Sequence, residues 1–218
     1  MTTIAENLQA VRARIARAPE VILLAVSKGQ ALERVREAIA AGQKAFGENY
    51  VQEAAQKMQD LPQLEWHLIG PLQSNKTRLA AERFDWVQTV ASEKIARRLS
   101  EQRPASLSPL NLLIQVNVSG EASKSGVSPG QVPALARATA ALKSVRLRGL
   151  MAIPEPGAER SRYREAKELY DSLKDEFGFD TLSMGMSDDL ELAIAEGATM
   201  VRVGTAIFGA RKKEKTAA

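Results

Sequence analysis

Short apolar segments alternate with amphipathic segments along the whole chain, and this alternation limits the fold more than any other feature. The apolar segment at 21–26 is rich in β-branched residues, which is typical of a strand buried on both faces of a parallel sheet. The segment at 4–17 has apolar residues at helical spacing, and Thr3 with Glu6 forms a capping-box pattern at its start. Strict alternation of strands and helices predicts a parallel sheet with right-handed crossovers.

The repeat predicts eight strands with helices between them. Eight such units in a little over 200 residues predict an α/β fold, a single (β/α)₈ TIM barrel near its minimum size. A doubly wound open sheet is the alternative. Ser92 is the expected N-cap of one helix, and Gly178 is the expected stop of the longest helix. The strands are predicted at 21–26, 44–46, 64–69, 85–90, 110–118, 145–152, 181–183 and 199–203, and the helices at 4–17, 31–41, 49–59, 74–83, 92–102, 130–142, 160–177 and 188–196.

The composition fits a single cytoplasmic domain. The 218 residues show no linker, so we expect one domain over 1–218 with a short basic tail from about 211. The absence of cysteine excludes disulfides, cysteine-ligated zinc, iron–sulfur clusters and thiol nucleophiles. No apolar run is long enough to span a membrane, and the first residues lack a secretory signal. We therefore expect a cytoplasmic protein with no membrane partner.

Charge and histidine content narrow the functional classes further. Thirty basic residues are offset by 26 acidic ones, mixed along the chain, so the net charge of +4 is a weak signal and we expect no nucleic-acid partner. The single histidine, His67, rules out a multi-histidine metal site, and we predict no bound metal. A Ser-His-Asp triad stays formally possible, although no G-x-S-x-G motif supports it.

Active sites of this fold lie at the carboxyl ends of the strands, where this sequence concentrates polar residues and glycines. Lys28 is the second residue after the first strand, where its ammonium would be partly desolvated. Desolvation lowers the pKa of a lysine, and a neutral amine can form a Schiff base. From position alone, an exposed lysine that begins a loop is the better explanation. Polar segments also follow the other strands, at 47–49, 70–76, 117–126, 184–187 and 204–205.

The last two strands suggest an anion site. Gly204 and Thr205 follow the eighth strand and Ser187 follows the seventh, where barrels often build a phosphate site. Backbone N–H groups of such turns favour an anion, although plain turn chemistry explains a Gly-Thr pair equally simply. Arg202 lies within the eighth strand. If it points inward it needs a partner or a ligand, whereas an outward side chain would reach solvent.

His67 and Met184 occupy positions that allow two interpretations each. His67 lies beside Trp66 in the third strand, and alternation puts the two on opposite faces. A core histidine with satisfied ring nitrogens and a ligand-facing histidine fit the sequence equally well. Met184 follows the seventh strand, where methionine more often packs at the barrel mouth than contacts a cofactor.

Seven segments, in order, resemble the motifs of the pyridoxal phosphate homeostasis proteins. The resemblance covers essentially the whole chain, and seven motifs in register are far more specific than any one of them. The segments are AVSK at 25–28, FGENYVQE at 46–53, WHLIGPLQSNK at 66–76, QVNVS at 115–119 with SKSG at 123–126, GLMAIP at 149–154, SMGMSDD at 183–189 and VRVGTAIFG at 201–209.

The resemblance implies a barrel similar to the N-terminal domain of alanine racemase, with pyridoxal 5′-phosphate held as an aldimine of Lys28. It implies that Asn49 and His67 line the cofactor ring and that Arg202 faces the pyridine nitrogen. The implied phosphate site and remaining cofactor contact are formed by Ser187, Gly204, Thr205 and Met184. The sequence departs from the family at 29–30, where Gly-Gln stands after the lysine in place of Thr and a nearby Pro, so we expect a looser turn there.

Three functions remain open at this point. The first is a non-catalytic carrier in intracellular vitamin B6 homeostasis, a monomer that could pass the cofactor to apo-enzymes. An arginine at the pyridine nitrogen favours it, because enzymes that use the cofactor as an electron sink usually place a carboxylate there. The second is an amino-acid racemase of the alanine racemase type, for which Tyr50 is the one nearby candidate base. The third is a Schiff-base aldolase acting on a sugar phosphate.

Overall fold

The structure of the protein is a computed structural model, which describes residues 2–61, 63–120, 125–155 and 157–210. The SK pair of the fourth motif, at 123–124, and the predicted basic tail from about 211 lie outside the described residues. Within the described residues no helix has the length and apolar character needed to cross a bilayer.

Eight parallel strands close into a barrel in chain order, with β8 paired to β1. The structure therefore confirms the predicted (β/α)₈ barrel, and the open-sheet alternative is wrong. The strands are β1 (Ile22–Val26), β2 (Ala45–Glu48), β3 (Glu65–Leu68), β4 (Trp86–Val90), β5 (Leu110–Val116), β6 (Val145–Ala152), β7 (Thr181–Ser183) and β8 (Met200–Val203).

The helices surround the barrel at nearly the predicted positions. Thr3 and Glu6 form the expected capping box of the first helix, and Ser92 Oγ accepts the N–H of Ile95 at the start of the fifth. Gly178 ends the seventh helix with φ +66°, a conformation that favours glycine. The helices are α1 (Ile4–Ile15), α2 (Leu32–Ala40), α3 (Val51–Asp60), α4 (Thr77–Arg83), α5 (Glu93–Gln102), α6 (Val132–Ala140), α7 (Arg160–Phe177), α8 (Leu190–Ala195) and α9 (Thr205–Phe208), with 3₁₀ turns at Ser74–Lys76 and Pro129–Gln131.

Several elements are one to four residues shorter than predicted, and for two of them a hydrogen bond explains the boundary. β5 ends two residues early because the N–H of Asn117 donates to the carbonyl of Val127, where the following loop returns. α8 begins only after Asp189, whose carboxylate accepts the N–H of Met186 at 2.5 Å and so holds a turn in front of the helix.

The two faces of each strand have different surroundings. Outward side chains such as Trp66 and Phe46, with ring centroids 5.7 Å apart, belong to the main core between the strands and the helices. Leu24, Ala45 and Met200 form a separate small cluster, and Trp86, Leu113 and Met151 form another. The barrel interior between these clusters is polar, and it leads to the site described next.

α1 crosses the outside of the barrel and contacts the last segments of the described chain. The side-chain amide of Asn7 donates to the carbonyl of Ile207 at 2.9 Å, although the two residues are 200 positions apart. Arg14 donates to the carbonyl of Ser187 at 2.9 Å and forms an ion pair with Glu191 at 2.5 Å. The first helix thus contacts the segments that follow β7 and β8 at the barrel mouth.

Candidate functional site

A cavity of about 480 Å³ opens at the carboxyl ends of the strands, within the size range of small-molecule sites. Its wall combines polar side chains from opposite sides of the barrel with apolar side chains such as Val26, Ile69 and Ile153. Six of the eight residues predicted from the sequence line this cavity: Lys28, Asn49, Ser187, Arg202, Gly204 and Thr205.

His67 and Met184 do not line the described cavity. Met184 is fully buried in the main core, so its side chain packs away from the barrel mouth. His67 is also fully buried, and its ring stacks on Trp86 with centroids 5.1 Å apart. Its Nε2 lies 2.7 Å from Glu65 Oε1 and its Nδ1 lies 2.9 Å from Gln88 Nε2, so both ring nitrogens have protein partners. Of the two interpretations of His67, the structure favours the core histidine.

Lys28 lies in a tight turn at the end of β1. The N–H of Gln30 donates to the carbonyl of Ser27 at 3.0 Å and closes the turn, which places Gly29 at φ +66°. Glu53 on α3 accepts the N–H of Gly29 at 2.6 Å. This carboxylate holds the turn from outside the loop, so the turn is fixed despite the glycine that replaces the family's usual residue.

A buried ionic cluster lies directly beneath this turn. Lys57 donates to Glu48 at 2.8 Å, to Glu53 at 2.7 Å and to the carbonyl of Ser27 at 2.8 Å. Ser27 Oγ also donates to Glu48 at 2.7 Å. Burial raises the pKa of Glu48, while the attraction of Lys57 lowers it. The cluster therefore ties α3 and β2 to the backbone on either side of Lys28.

Arg202 enters the cavity from β8 and is 4% exposed. Its Nη1 donates to Ser183 Oγ at 2.7 Å and its Nη2 donates to the carbonyl of Ala152 at 2.9 Å. Burial lowers the pKa of Arg202 to about 10, which still leaves the guanidinium protonated at neutral pH. The site thus presents a fixed cation that can donate hydrogen bonds and cannot accept them.

The wall next to Arg202 and β1 is built from the loops after β7 and β8. Ser187 Oγ accepts the N–H of Ala206 at 3.2 Å, so its hydroxyl hydrogen can be donated to a ligand. Thr205 adds a second hydroxyl beside Gly204. A Cβ at Gly204 would lie 3.3 Å from the carbonyl oxygen of Val26, so glycine keeps this wall close to β1.

Asn49 completes the wall near Lys28, and its loop is held by a close backbone approach. A Cβ at Gly70 would lie 2.2 Å from the carbonyl oxygen of Asn49, so only glycine allows the loop after β3 to pass there. Tyr50, the candidate base of the racemase interpretation, is 66% exposed and is not among the cavity-lining residues.

Sequence reasoning missed two groups of residues at this site. Gln115, Asn117 and Ser125 line the cavity. They lie in the segments at 115–119 and 123–126 that resemble the family motifs, but no binding role was predicted for them from the sequence. The supporting residues beneath the cavity were missed as well. The Glu53 and Lys57 pair at helical i,i+4 spacing was visible in the sequence, although such pairs are usually exposed. The other supporting residues are Glu48, Gln88 and Ser183.

Comparison with known proteins agrees with the fold and with the motifs. The family model of the alanine racemase N-terminal domain matches residues 1–212. The "Pyridoxal phosphate homeostasis protein" of Pseudomonas aeruginosa is 60% identical over 97% of both chains. The protein of the same name from Escherichia coli is 52% identical over 99% of this chain and 100% of its own.

A solved structure gives the same picture. The structure of PipY from Synechococcus elongatus with PLP bound has a TM-score of 0.86 and 40% identity, covering 95% of this chain and 100% of that chain. By fold, by the match of the family model and by 60% identity over 97% of its length, this chain belongs to the alanine racemase N-terminal domain family and, within it, to the pyridoxal phosphate homeostasis proteins.

Proposed function

We propose that this protein binds pyridoxal 5′-phosphate in the barrel-mouth cavity, with Lys28 as its covalent anchor, and acts in intracellular vitamin B6 homeostasis and cofactor supply. One observation carries the proposal: the amine of Lys28, the guanidinium of Arg202 and the hydroxyls of Ser187 and Thr205 line one cavity of about 480 Å³. The names of the relatives and the ligand of PipY support it. When bound, the cofactor would supply a reactive aldehyde on an electron-withdrawing ring.

The residues present fit this cofactor. The two hydroxyls can donate hydrogen bonds to a phosphate, and the close approach at Gly204 leaves a wall without a side chain between them and β1. The apolar side chains of Val26 and Ile69 suit the faces of an aromatic ring. Lys28 is held near them by the Glu53-supported turn. We assign the cofactor contacts to Lys28, Asn49, Ser187, Arg202, Gly204 and Thr205, and not to His67 or Met184.

Arg202 supports a holding role over a catalytic one. Its guanidinium only donates hydrogen bonds, so a ring nitrogen facing it would have to accept and would stay unprotonated. An unprotonated ring stabilises a substrate carbanion poorly. No tyrosine among the described residues lines the cavity as a second acid–base group. We therefore propose that the protein is not an enzyme.

We expect no substantial racemase or transaminase turnover from the protein loaded with pyridoxal 5′-phosphate. The measurement is exchange of the α-hydrogen of alanine in deuterated water, with a known alanine racemase assayed in parallel as the positive control. Exchange at about 1 per second or faster, a rate typical of enzymes, would contradict the proposal and favour the racemase alternative.

Two further parts of the proposal concern the context in which the protein acts. We propose that the chain works as a monomeric, single-domain carrier over 1–218 and that apo-enzymes receive its cofactor. The cytoplasmic compartment stays a prediction from the cysteine-free composition.

The aldolase alternative is separated by borohydride reduction with and without pyridoxal 5′-phosphate, because an aldolase would be trapped on its sugar phosphate without that cofactor.

The substitution Thr205→Ala is expected to weaken binding of pyridoxal 5′-phosphate about ten- to hundredfold and to leave pyridoxal binding nearly unchanged. The physical reason is that a lost hydrogen bond to a charged group costs roughly 1.5–3 kcal/mol, and only the phosphate reaches this hydroxyl. Titration of the wild type and the variant with both ligands measures the difference. Thr205→Ser keeps a hydroxyl and serves as the matched control, and equal losses for both ligands would move the phosphate site elsewhere.

A further inference from the structure

A continuous chain of hydrogen-bonded side chains crosses the barrel interior beneath the cavity. Arg202 Nη1 lies 2.7 Å from Ser183 Oγ, which lies 2.7 Å from Gln88 Oε1. Gln88 Nε2 lies 2.9 Å from His67 Nδ1, and His67 Nε2 lies 2.7 Å from Glu65 Oε1. Ser183, Gln88 and His67 are each fully buried. The chain thus joins the cavity to Glu65, at the first residue of β3 and the opposite end of the barrel.

The two ends of this chain determine the direction of every hydrogen bond in it. Arg202 can only donate, and an ionised Glu65 can only accept. Ser183 therefore accepts from Arg202 and donates to Gln88, whose amide nitrogen in turn donates to His67 Nδ1. The remaining ring nitrogen of His67 then carries the hydrogen that faces Glu65. Each link is satisfied in only this orientation, which fixes the amide of Gln88 and the tautomer of His67.

The charge states that this arrangement needs agree with the surroundings. Burial lowers the pKa of His67, so a neutral ring is favoured, although Glu65 and Asp85 oppose the shift. The hydrogen bond from His67 lowers the pKa of Glu65, whose side chain is 47% exposed, so the carboxylate stays ionised. A cation and an anion thus lie at opposite ends of three neutral, polarisable groups, an arrangement in which hydrogen bonds strengthen one another.

We propose that Gln88, Ser183 and His67 are positioning residues that hold the guanidinium of Arg202 in one orientation toward the pyridine nitrogen of the bound cofactor. This inference rests on the proposed function. Ser183 on one side and the carbonyl of Ala152 on the other engage two of the three guanidinium nitrogens, so the guanidinium plane is fixed. His67 then acts through Gln88 and Ser183 and does not touch the cofactor itself.

The test compares two ligands on three proteins. The ligands are pyridoxal 5′-phosphate and its analogue in which a C–H group replaces the ring nitrogen. Gln88→Met keeps the length of the side chain and removes its links to Ser183 and His67, together with the hydrogen bond that its amide donates to Met200 Sδ at 3.2 Å. Leu113→Met is the matched control, because Leu113 is equally buried in the barrel interior but lies in an apolar cluster outside the chain. All three proteins are first compared by circular dichroism and thermal unfolding.

We expect Gln88→Met to bind pyridoxal 5′-phosphate about tenfold more weakly than the wild type and to bind the nitrogen-free analogue with nearly unchanged affinity. Leu113→Met should bind both ligands as the wild type does. Equal weakening for both ligands would show a merely structural role and overturn the inference, and unchanged affinity for both would overturn it as well. If the wild type itself fails to bind pyridoxal 5′-phosphate, it is the proposed function that is overturned.

A second pair of variants covers the case in which Gln88→Met does not fold. Ser183→Thr and Ser183→Val introduce side chains of the same shape. Threonine keeps the hydroxyl that links Arg202 to Gln88, and valine has a methyl group in its place. Nitrogen-15 NMR of the arginine side chains in the cofactor-free protein should show Arg202 restrained in the wild type and in Ser183→Thr. Faster rotation of its guanidinium in Ser183→Val alone supports the inference, whereas identical spectra for the pair contradict it.

Discussion

Replacement of Lys28 by alanine is expected to abolish covalent attachment of pyridoxal 5′-phosphate completely. The amine of Lys28 lies in the wall of the cavity, within the turn that Glu53 holds, and alanine offers no nucleophile there. Non-covalent binding should persist, because Ser187 and Thr205 keep their hydroxyls. The yellow colour of the bound cofactor should therefore disappear while a weaker affinity for the cofactor remains.

The measurement for Lys28 is borohydride reduction followed by peptide mass spectrometry. In the wild type the pyridoxyl group should be found on Lys28, and in Lys28→Ala on no lysine. Lys76→Ala is the matched control, since Lys76 follows β3 at the same end of the barrel but does not line the cavity. A pyridoxyl group found mainly on Lys76 or Lys124 would contradict the assignment.

Among the substitutions proposed for this protein, Lys57→Met should lower the free energy of unfolding the most, by about 3–5 kcal/mol. The reason is that it leaves the carboxyl of Glu48 buried without its cation. Glu48 is fully buried, and its Oε2 has no hydrogen-bond partner among the described residues. Without Lys57 the raised pKa of Glu48 should rise further, so the folded state binds a proton that the unfolded state releases above about pH 4.5. The loss should therefore grow as the pH rises above the ordinary pKa of a glutamate. Urea denaturation at several pH values measures it.

Two controls separate the buried charge from a general effect of losing a lysine. Glu48→Gln combined with Lys57→Met removes both charges. The double variant should regain much of the lost free energy of unfolding and should lose most of the pH dependence that Lys57→Met introduces. Arg97→Met breaks the exposed i,i+4 pair with Glu93 on α5 and should cost about 0.5 kcal/mol or less. A similar loss for Lys57→Met and Arg97→Met would contradict the importance of the cluster.

Most of the fold could be predicted because the barrel repeats one local pattern eight times. β6 and α7 begin and end at the predicted residues, since a strand that alternates apolar residues with arginines and an amphipathic stripe ended by Gly178 leave little freedom. One of the errors lies where a contact outside the local pattern decides the boundary. β5 ends at Val116 because of a bond from Asn117 to a returning loop, and no local pattern in the sequence contains that bond.

The site was predicted less completely, for a related reason. Spacing and motifs identified six of the residues that line the cavity, because these lie at or just after the carboxyl ends of the strands. The residues that support them are recognised only from partners far away in the chain. Gln88 lies in a strand whose five residues are all buried, so its inward orientation is not visible in the sequence, and its partner Ser183 is 95 positions away. His67 shows the same limit, because strand alternation predicted that it lies on the face opposite Trp66 but not which face that is or what its neighbours are.

The contact between α1 and α9 has a consequence for how the protein is made. The first helix holds the last segment of the site, and β1 completes the barrel only by pairing with β8. A ribosome synthesises β1 first and β8 near the end, so a nascent chain carries Lys28 long before Arg202 and Thr205 exist beside it. Closure of these distant contacts is a late and entropically costly step. We therefore expect pyridoxal 5′-phosphate to bind through all of these residues only after β8 has been synthesised and the barrel has closed.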